Sequence, residues 1–269
     1  MKNKILKTMV AIGLSLVSLI SLSACGRGAE TNNGSETINN ANSSQNIPSS
    51  TSDSNSEEAS KLAATLGNDV KIGGSVTLGS YEQDNDLSNS GEDIEWLVLD
   101  IQDGKALLIS KYALDAQPFN TEKTNVTWET CTLRNWLNND FYNEAFTDVE
   151  KKIINTTKVV AEPNPSDDFK SNDPGNDTQD KVFVLSYNEA YKYFDSDSER
   201  PCKPTTYADE RGAYISEPYD GNGYWWLRNP GVYNSHALYI HSSGNGGFSG
   251  AGVHAASYTV RPAIWISIG

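Results

Sequence analysis

The chain has 269 residues, and its 35 acidic and 21 basic side chains give a formal net charge of −14 at pH 7. Phosphate backbones are bound mainly by Lys and Arg, so this charge excludes nucleic acid as an expected partner. The same charge gives the chain no attraction to anionic lipid surfaces and serves mainly solubility.

The N-terminus has the pattern of a secretory signal. Three lysines precede an apolar stretch from residue 9 to residue 22, which is too short to span about 30 Å of hydrocarbon. The following Leu22-Ser23-Ala24-Cys25 resembles the bacterial lipobox. This resemblance implies that residues 1–24 are removed, that Cys25 carries the lipid, and that the bilayer anchors the chain on the outer, extracellular face of the cell membrane. The alternative is an ordinary secretory signal with a chance cysteine.

Residues 25–68 are predicted to form a disordered tether behind the lipidated cysteine. Between residues 26 and 60 the composition is mostly Ser, Asn, Thr, Gly and Glu, and Ile38 and Ile47 are the only large apolar residues. Such a segment buries too little apolar surface to offset its ordering entropy, so it behaves as a linker. A short helical turn is expected over residues 61–66. Residues 69–269 then have the size of a single domain.

The first elements of this domain are predicted to be strands. Residues 94–99 and 105–109 are apolar runs that flank Asp103-Gly104, which is a strong hairpin pattern. Residues 76–81 supply a preceding strand. Helical spacing of apolar residues then predicts a helix over residues 130–138.

Two capping boxes predict further short helices. Thr147 with Glu150 and Ser186 with Glu189 have the required spacing. Residues 155–160 and 182–185 have the composition of strands, and the polar, Pro-containing segment 162–180 is predicted to be an exposed loop.

The C-terminal third is predicted to consist of strands and loops. Residues 224–228, 236–241 and 258–268 read as strands, and the Gly-rich residues 243–247 as a turn. The predicted class is therefore α+β, with short helices packed on antiparallel strands and a strand-rich C-terminal third.

Four phrases occur in this domain: IEWLVL at 94–99, WETCTLRNWLN at 128–138, YWWLRNPG at 224–231 and VRPAIW at 260–265. Together they resemble a family of uncharacterised extracellular domains of bacterial lipoproteins. The last two are also similar to the C-terminal part of C-type-lectin-like domains, whose relatives include formylglycine-generating-type enzymes. This second resemblance implies a C-type-lectin-like fold with a Trp-rich strand and an Arg-Pro-Ala strand beneath ligand-binding loops, and a fold alone does not imply a function.

The aromatic, Gly-rich C-terminal face is predicted to bind the ligand. Consecutive side chains of a strand point to opposite faces, so one face of the Trp-rich strand is expected to form an aromatic platform. Aromatic residues and Arg are frequent binding hot spots, and Gly-rich loops commonly carry binding sites. The predicted ligand-binding residues are Tyr224, Trp225, Trp226, Arg228, Asn229, Asn234, His236, Asn245 and Phe248.

Cys131 and Cys202 are the cysteines that remain after lipidation. In an oxidising extracellular compartment two cysteines can pair, so a disulfide between them is one prediction. The alternative is two separately buried thiols, because sequence alone does not show whether their Cβ atoms approach to the ~4 Å that a disulfide requires.

Metal sites are considered at two places. His236, His241 and His254 would suit a transition metal, but the first two are five residues apart and would face opposite sides of a strand. Glu162-Pro163-Asn164 matches the tripeptide with which C-type lectins hold Ca²⁺, in a loop rich in aspartate. Neither pattern has the ligand spacing of a known site, so no cofactor is predicted, with Ca²⁺ as the alternative.

These patterns favour a membrane-anchored surface lipoprotein with a non-catalytic domain that recognises glycan, peptide, cell-wall material or a surface protein. One alternative is an enzyme on the same fold, either dependent on a metal held by the histidines or hydrolytic. Another is a structural domain of a surface assembly. The residues nominate no catalytic group.

Overall fold

The computed structural model describes residues 50–269, so the predicted signal peptide, Cys25 and the tether up to residue 49 lie outside the described residues. Helices and antiparallel sheets are both present, which confirms the predicted α+β class. Within the described part, no helix is both long enough and apolar enough to cross a membrane.

The α-helices of the described part are α1 (Ser50–Asp69), α2 (Thr132–Trp136), α3 (Tyr142–Ala145), α4 (Glu150–Ile153), α5 (Tyr187–Tyr193) and α6 (Thr206–Glu210). All of these except α1 are short. The strands are β1 (Ser75–Tyr81), β2 (Glu92–Gln102), β3 (Lys105–Ser110), β4 (Asp115–Ala116), β5 (Thr157–Val159), β6 (Thr178–Asp180), β7 (Val182–Phe183), β8 (Trp225–Pro230), β9 (His236–Ile240), β10 (Ala251–Gly252), β11 (Thr259–Val260) and β12 (Ala263–Ser267).

Sheet one has the strand order β1-β2-β3-β12-β7 and contains the predicted hairpin. Asp103 and Gly104 at its turn both have positive φ, 50° and 70°, and Gln102 pairs with Lys105. Two central residues with positive φ give the turn a twist that matches antiparallel strands. The hairpin is therefore confirmed, together with the local signal that predicts it.

Sheet two has the order β10-β9-β8-β11-β4, and the chain passes from it to sheet one at Arg261-Pro262. Strand β11 ends directly before this dipeptide and β12 begins directly after it. Arg261 is 2% exposed, its Nε donates to the Ser110 carbonyl at 2.9 Å, and its guanidinium lies 5.3 Å from the Trp225 ring. The phrase around Arg261 thus forms the junction of the two sheets.

The phrase at residues 128–138 joins the short helices to β6 and β7. The Trp128 indole N–H donates to the Asp180 carboxylate at 2.9 Å, and Arg134 Nε pairs with the same carboxylate at 2.7 Å. Asn138 Oδ1 accepts the backbone N–H groups of Lys181 and Val182. The predicted helix is present as α2, and it continues through a π-helical turn into α3.

Helix α1 corrects the predicted end of the tether. The sequence predicts disorder up to residue 68, but α1 begins at Ser50 and belongs to the same compact unit as the domain. Ala59, Ala63 and Leu66 are buried, and the Gly269 N–H donates to the Ala63 carbonyl at 3.2 Å. Small apolar residues spaced three and four apart give even a polar helix one buried face. The compact unit therefore includes residues 50–68, which the sequence assigns to the tether.

Arg228 in β8 is 3% exposed and connects several elements. Its guanidinium pairs with both carboxylate oxygens of Glu189, and the Nη2–Oε1 distance is 2.8 Å. It also donates to the carbonyl groups of Val160 and Val184, each at 3.1 Å. Glu189 accepts the Ser186 N–H as well, which confirms the predicted capping box. The N-terminus of α5 is thereby fixed to β8.

Replacing Arg228 by Met should lower the free energy of unfolding by about 3 kcal/mol, because Glu189 and two carbonyl groups lose a buried partner. Urea unfolding followed by circular dichroism measures the change. As a control, Lys170→Met removes an exposed ion pair with Asp167 and should cost less than about 1 kcal/mol. Equal losses in the two variants would contradict the role assigned to Arg228.

Candidate functional site

A cluster of aromatic rings beside sheet two reaches the solvent. Tyr224 lies at its centre, with ring centroids 4.6 Å from Tyr214 and 4.7 Å from His241. Tyr219 extends the cluster from His241 at 5.6 Å. Tyr214 and Tyr219 are 43% and 44% exposed, so the cluster is open on one side. We define the tyrosine surface as Tyr214, Tyr219, Tyr224, Tyr239, Tyr258 and His241.

Strand alternation places Tyr239 on this surface. Its neighbours on β9, Leu238 and Ile240, are fully buried, whereas Tyr239 is half-buried. Successive side chains of a strand point to opposite faces. Tyr258 then packs edge-on against Tyr239 at 4.8 Å and stacks on Trp226 at 4.4 Å. The surface therefore continues the packed aromatic core outwards.

Backbone contacts hold the other members in place. The Thr259 N–H and hydroxyl both donate to the Tyr224 carbonyl, at 2.7 and 2.8 Å. The Tyr214 N–H donates to the Ser257 carbonyl at 2.9 Å. Tyr214 and Tyr224 are thus attached to the segment that carries Tyr258, although they are distant in sequence.

Two phenols of the tyrosine surface, those of Tyr224 and Tyr258, favour the neutral form. Burial, and then the neighbouring Tyr214 hydroxyl, raise the pKa of Tyr224 to about 12. Burial and the proximity of Tyr239 also raise the pKa of Tyr258. A neutral phenol both donates and accepts hydrogen bonds. At physiological pH these two side chains therefore offer uncharged hydroxyl groups beside flat apolar rings.

A polar cleft adjoins the tyrosine surface at Tyr219. Its volume is about 600 Å³. The turn that carries Tyr219 is closed by backbone hydrogen bonds from Gly221 to Ser216 and from Asn222 to Tyr219. The polar or aromatic residues that line the cleft include Lys203, Tyr219, Asp220, Asn222, Ser242 and Ser243. The arrangement offers hydroxyl and amide groups next to exposed rings.

The structure corrects the prediction that Trp225 or Trp226 forms an exposed platform. Both side chains are fully buried. The Trp225 indole N–H donates to the Arg200 carbonyl at 3.0 Å, and that of Trp226 donates to the Gln117 carbonyl at 2.9 Å. The ring of Tyr258 covers Trp226. On that face Tyr224, one of the nine predicted residues, is partly exposed.

Arg228 and Asn229 are also unavailable to a ligand, contrary to the prediction. Asn229 is 1% exposed; its Oδ1 accepts the Tyr187 N–H at 2.7 Å, and its Nδ2 donates to the carbonyl groups of Glu162 and Pro163. Together with the Arg228 network, these bonds attach the loop after β5 and the start of α5 to β8. Both residues therefore have a structural role.

The remaining predicted residues do not lie on one surface. Asn234 and His236 are at the start of β9 and Asn245 follows its other end, so they are separated by the strand length of about 17 Å. Asn234 donates to the Asp173 carbonyl at 2.7 Å. Asn245 is exposed on the turn that begins at His241, beside the tyrosine surface. Phe248, 41% exposed, instead packs against Tyr187 at 5.3 Å.

The three histidines do not gather at one point. His236 and His241 flank opposite ends of β9. Burial, followed by the proximity of His254, lowers the pKa of His236. Within residues 50–269, no histidine belongs to a group of three metal-ligating side chains. The geometry therefore gives no support to a three-histidine metal site.

The tripeptide Glu162-Pro163-Asn164 is occupied by protein groups. Glu162 Oε2 accepts from Asn188 Nδ2 at 2.8 Å. Asn164 is 1% exposed, and its amide donates to the carbonyl groups of Pro230 and Phe248. These contacts dock the loop onto the end of β8 and engage the Asn164 amide with protein carbonyl groups.

Cys131 and Cys202 are two separate buried thiols, so the structure does not contain the predicted disulfide. Cys131 Sγ donates to the Trp128 carbonyl at 3.4 Å, and Cys202 Sγ to that of Lys111 at 3.5 Å. Burial raises the pKa of the Cys131 thiol to about 12 and raises that of Cys202. Both thiols are therefore unreactive in the folded chain.

One cluster of side chains was not anticipated from the sequence. Glu82, Asp84 and Glu92 lie at the two ends of the loop between β1 and β2, and one ligand atom from each falls within 4.8 Å of the others. Burial, followed by Glu92 and Asp84, raises the pKa of Glu82 despite an opposing backbone hydrogen bond from Asn85. Glu92 lies near β1 because β1 pairs with β2, whereas the predicted hairpin joins β2 to β3. Nothing in the sequence indicates that Glu82 is buried.

Comparison with known families identifies the C-terminal part of the chain. Residues 103–268 match the family described as Domain of unknown function (DUF6273), and this range is more than half of the chain. The chain belongs to the DUF6273 family. This agrees with the resemblance to a family of uncharacterised domains. The DUF6273 match includes the whole tyrosine surface and excludes β1, β2 and the three clustered carboxylates. No curated protein and no solved structure matches the chain.

The raised pKa of Tyr224 predicts that this side chain ionises near pH 12. An alkaline titration followed by tyrosinate absorbance measures this ionisation, and Tyr224→Phe should remove it. Because the folded pKa lies above the ordinary value of 10.0, the neutral phenol stabilises the fold below pH 10, and this contribution is lost as the pH rises towards 12. Tyr233→Phe, outside the tyrosine surface, should leave that ionisation in place. A Tyr224 ionisation near pH 10 would disprove the packing described.

Proposed function

We propose that the DUF6273 domain is a non-catalytic recognition module that binds glycan through the tyrosine surface. The observation that carries this proposal is the contact of five tyrosines and His241 in one partly exposed layer, next to a polar cleft. Tyr supplies a large, rigid contact area at low entropic cost, and Ser, Gly and Asn supply adaptable hydrogen bonds, which is the composition of evolved binding surfaces.

Glycan is the favoured ligand class because of the chemistry at this place. A sugar ring has C–H groups on one face and hydroxyl groups around its edge. The exposed rings of Tyr214 and Tyr219 offer flat apolar faces. The neutral phenol of Tyr224 and the serine and asparagine side chains of the cleft offer hydroxyl and amide groups that can donate and accept hydrogen bonds.

Recognition is preferred over metal-dependent catalysis because the histidines that the enzyme alternative requires do not converge: His236 and His241 flank opposite ends of β9, and no histidine within residues 50–269 belongs to a group of three metal-ligating side chains. Two carboxylates that a hydrolase could use already bind protein groups. Asp180 binds Trp128 and Arg134, and Glu189 binds Arg228. A passive surface of rings and hydroxyl groups needs none of these groups.

We also propose that the domain is displayed on the outer face of the cell membrane and that its fold is related to C-type-lectin-like domains. The lipobox-like sequence before Cys25 supports lipidation and display on the outer face of the cell membrane. A C-type-lectin-like kinship is supported by two features: the Trp-rich strand β8 and the Arg261-Pro262 junction both lie in the core beside the candidate surface.

Binding is tested by incubating the full-length chain, solubilised in detergent, with arrays of peptidoglycan fragments, other polysaccharides and peptides. Wild type should bind one or more glycans, and Tyr214→Ala or Tyr219→Ala should weaken that binding by about 10-fold or more, as loss of a hot spot does. Tyr233→Ala removes a ring that is 63% exposed outside the surface and should bind normally. Binding to peptides alone, or glycan binding unchanged in both tyrosine variants, would overturn the proposal.

A thiol count tests lipidation at Cys25 and the state of the other cysteines together. We expect no reaction with a thiol reagent in the folded chain, because both described thiols are buried. After unfolding without reductant, we expect two thiols per chain, since Cys25 would carry a thioether. Three thiols would contradict lipidation. None would indicate a lipidated chain with a disulfide, and one would indicate an unlipidated chain with a disulfide.

A further inference from the structure

The loop between β1 and β2 brings three carboxylates together at the edge of sheet one. Glu82 directly follows β1, Asp84 lies two residues later, and Glu92 begins β2. One carboxylate oxygen from each lies within 4.8 Å of the other two. At such separations three like charges repel one another unless a proton or a cation neutralises them.

Glu82 is the unusual member of the group. It is 9% exposed, and its Oε1 is a buried side-chain oxygen with no hydrogen-bond partner among the described residues. A buried carboxylate oxygen without a partner is costly. Within residues 50–269, none of the three carboxylates forms an ion pair with Lys or Arg. The described part of the chain therefore supplies neither a donor to Oε1 nor a counter-charge to the group.

The surrounding backbone fixes this juxtaposition. The N–H groups of Gln83 and Asp84 donate to Glu92 Oε2, at 2.7 and 3.2 Å. A Cβ atom on Gly91 would lie only 2.7 Å from the Tyr81 carbonyl carbon and 2.9 Å from the Glu82 nitrogen. Only glycine permits this approach, so Gly91 allows the start of β2 to lie against Glu82.

We propose that Glu82, Asp84 and Glu92 bind a Ca²⁺ ion that closes the loop between β1 and β2. A cation there would bind the Glu82 carboxylate, whose Oε1 has no hydrogen-bond partner among the described residues, and would neutralise the repulsion. The ligands are all hard oxygen atoms, and Asp84 is exposed, so solvent can complete the coordination. Such a mixed, flexible oxygen site suits Ca²⁺ better than Zn²⁺, which prefers nitrogen and sulfur, or Mg²⁺, which requires near-octahedral geometry.

This site is separate from the loop at residues 162–180, where the sequence pattern placed calcium, and from the tyrosine surface. It also lies outside the range that matches DUF6273. A failure of the calcium proposal would therefore not affect the glycan proposal, and a failure of the glycan proposal would not affect the calcium proposal.

Calorimetric titration of the full-length chain with CaCl₂, after removal of metal by EDTA, tests the proposal. We expect one ion per chain. Calcium at about 100 times its Kd should raise the unfolding midpoint by about 5–10 °C, because the ion binds only the folded state. Glu82→Gln and Glu92→Gln should each weaken binding by about 10-fold or more. Asp93→Asn, which removes an exposed neighbouring carboxylate, should bind as wild type does.

Glu82→Gln also separates a binding role from a purely structural one. Without calcium it should fold with a midpoint at or above that of the wild type, because it removes repulsion, and it should lose the calcium-dependent rise. Absence of binding heat in the wild type, unchanged affinity in both Gln variants, or binding of MgCl₂ in preference to CaCl₂ would overturn the proposal. An unfolded Glu82→Gln chain would leave Glu92→Gln, at a half-buried residue, as the deciding variant.

Discussion

The fold depends on a set of buried arginines whose charges the surrounding segments must satisfy. Arg200, Arg228 and Arg261 are each only 2–3% exposed. A buried guanidinium is tolerated only where carboxylates, carbonyl groups or ring faces replace water. Arg228 meets Glu189 on α5 and carbonyl groups near β5 and β7. Because these partners come from separate parts of the chain, its charge is satisfied only in the assembled domain.

The buried charge of Arg261 is compensated by a carbonyl group and aromatic rings, without a carboxylate among the described residues. Its guanidinium donates to the Ser110 carbonyl and lies 5.1 Å from the Phe194 ring and 5.3 Å from that of Trp225. Desolvation lowers its pKa. Trp225 therefore shields the charge at the junction of the two sheets. The phrases YWWLRNPG and VRPAIW, which carry the family resemblance, contact each other through Trp225 and Arg261. Their buried residues therefore describe how the domain is built, while Tyr224 at the start of the first phrase also belongs to the tyrosine surface.

The parts of the fold that sequence predicts well are those encoded locally. The Asp103-Gly104 turn needs only two positive φ angles, and the Ser186–Glu189 capping box needs only adjacent backbone groups. The exposure of Trp226 depends instead on whether Tyr258, thirty-two residues later, covers it. Pattern reasoning correctly assigns alternate faces to the strand, but it cannot know that both faces are covered.

The same distinction explains the outcome at the candidate sites. The sequence identifies Tyr224 because it begins the phrase YWWLRNPG. The other four tyrosines occur singly in different segments: Tyr214, Tyr219, Tyr239 and Tyr258. The sequence assigns Asp180 to an exposed polar loop, but its side chain is buried between Trp128 and Arg134. A residue whose role depends on a partner far away in sequence carries no local signal of that role.

The tyrosine surface is suited to recognition because its rings are fixed before any ligand arrives. Tyr224 is held through its carbonyl by Thr259, and Tyr239 is held by the pairing of β9 with β8. A surface built on strands and packed rings loses little conformational entropy on binding, so more of its contact energy appears as affinity. By contrast, Phe248 lies in a Gly-rich loop and packs on the side of α5. These fixed ring positions therefore favour the tyrosine surface over that loop as the place where a ligand binds.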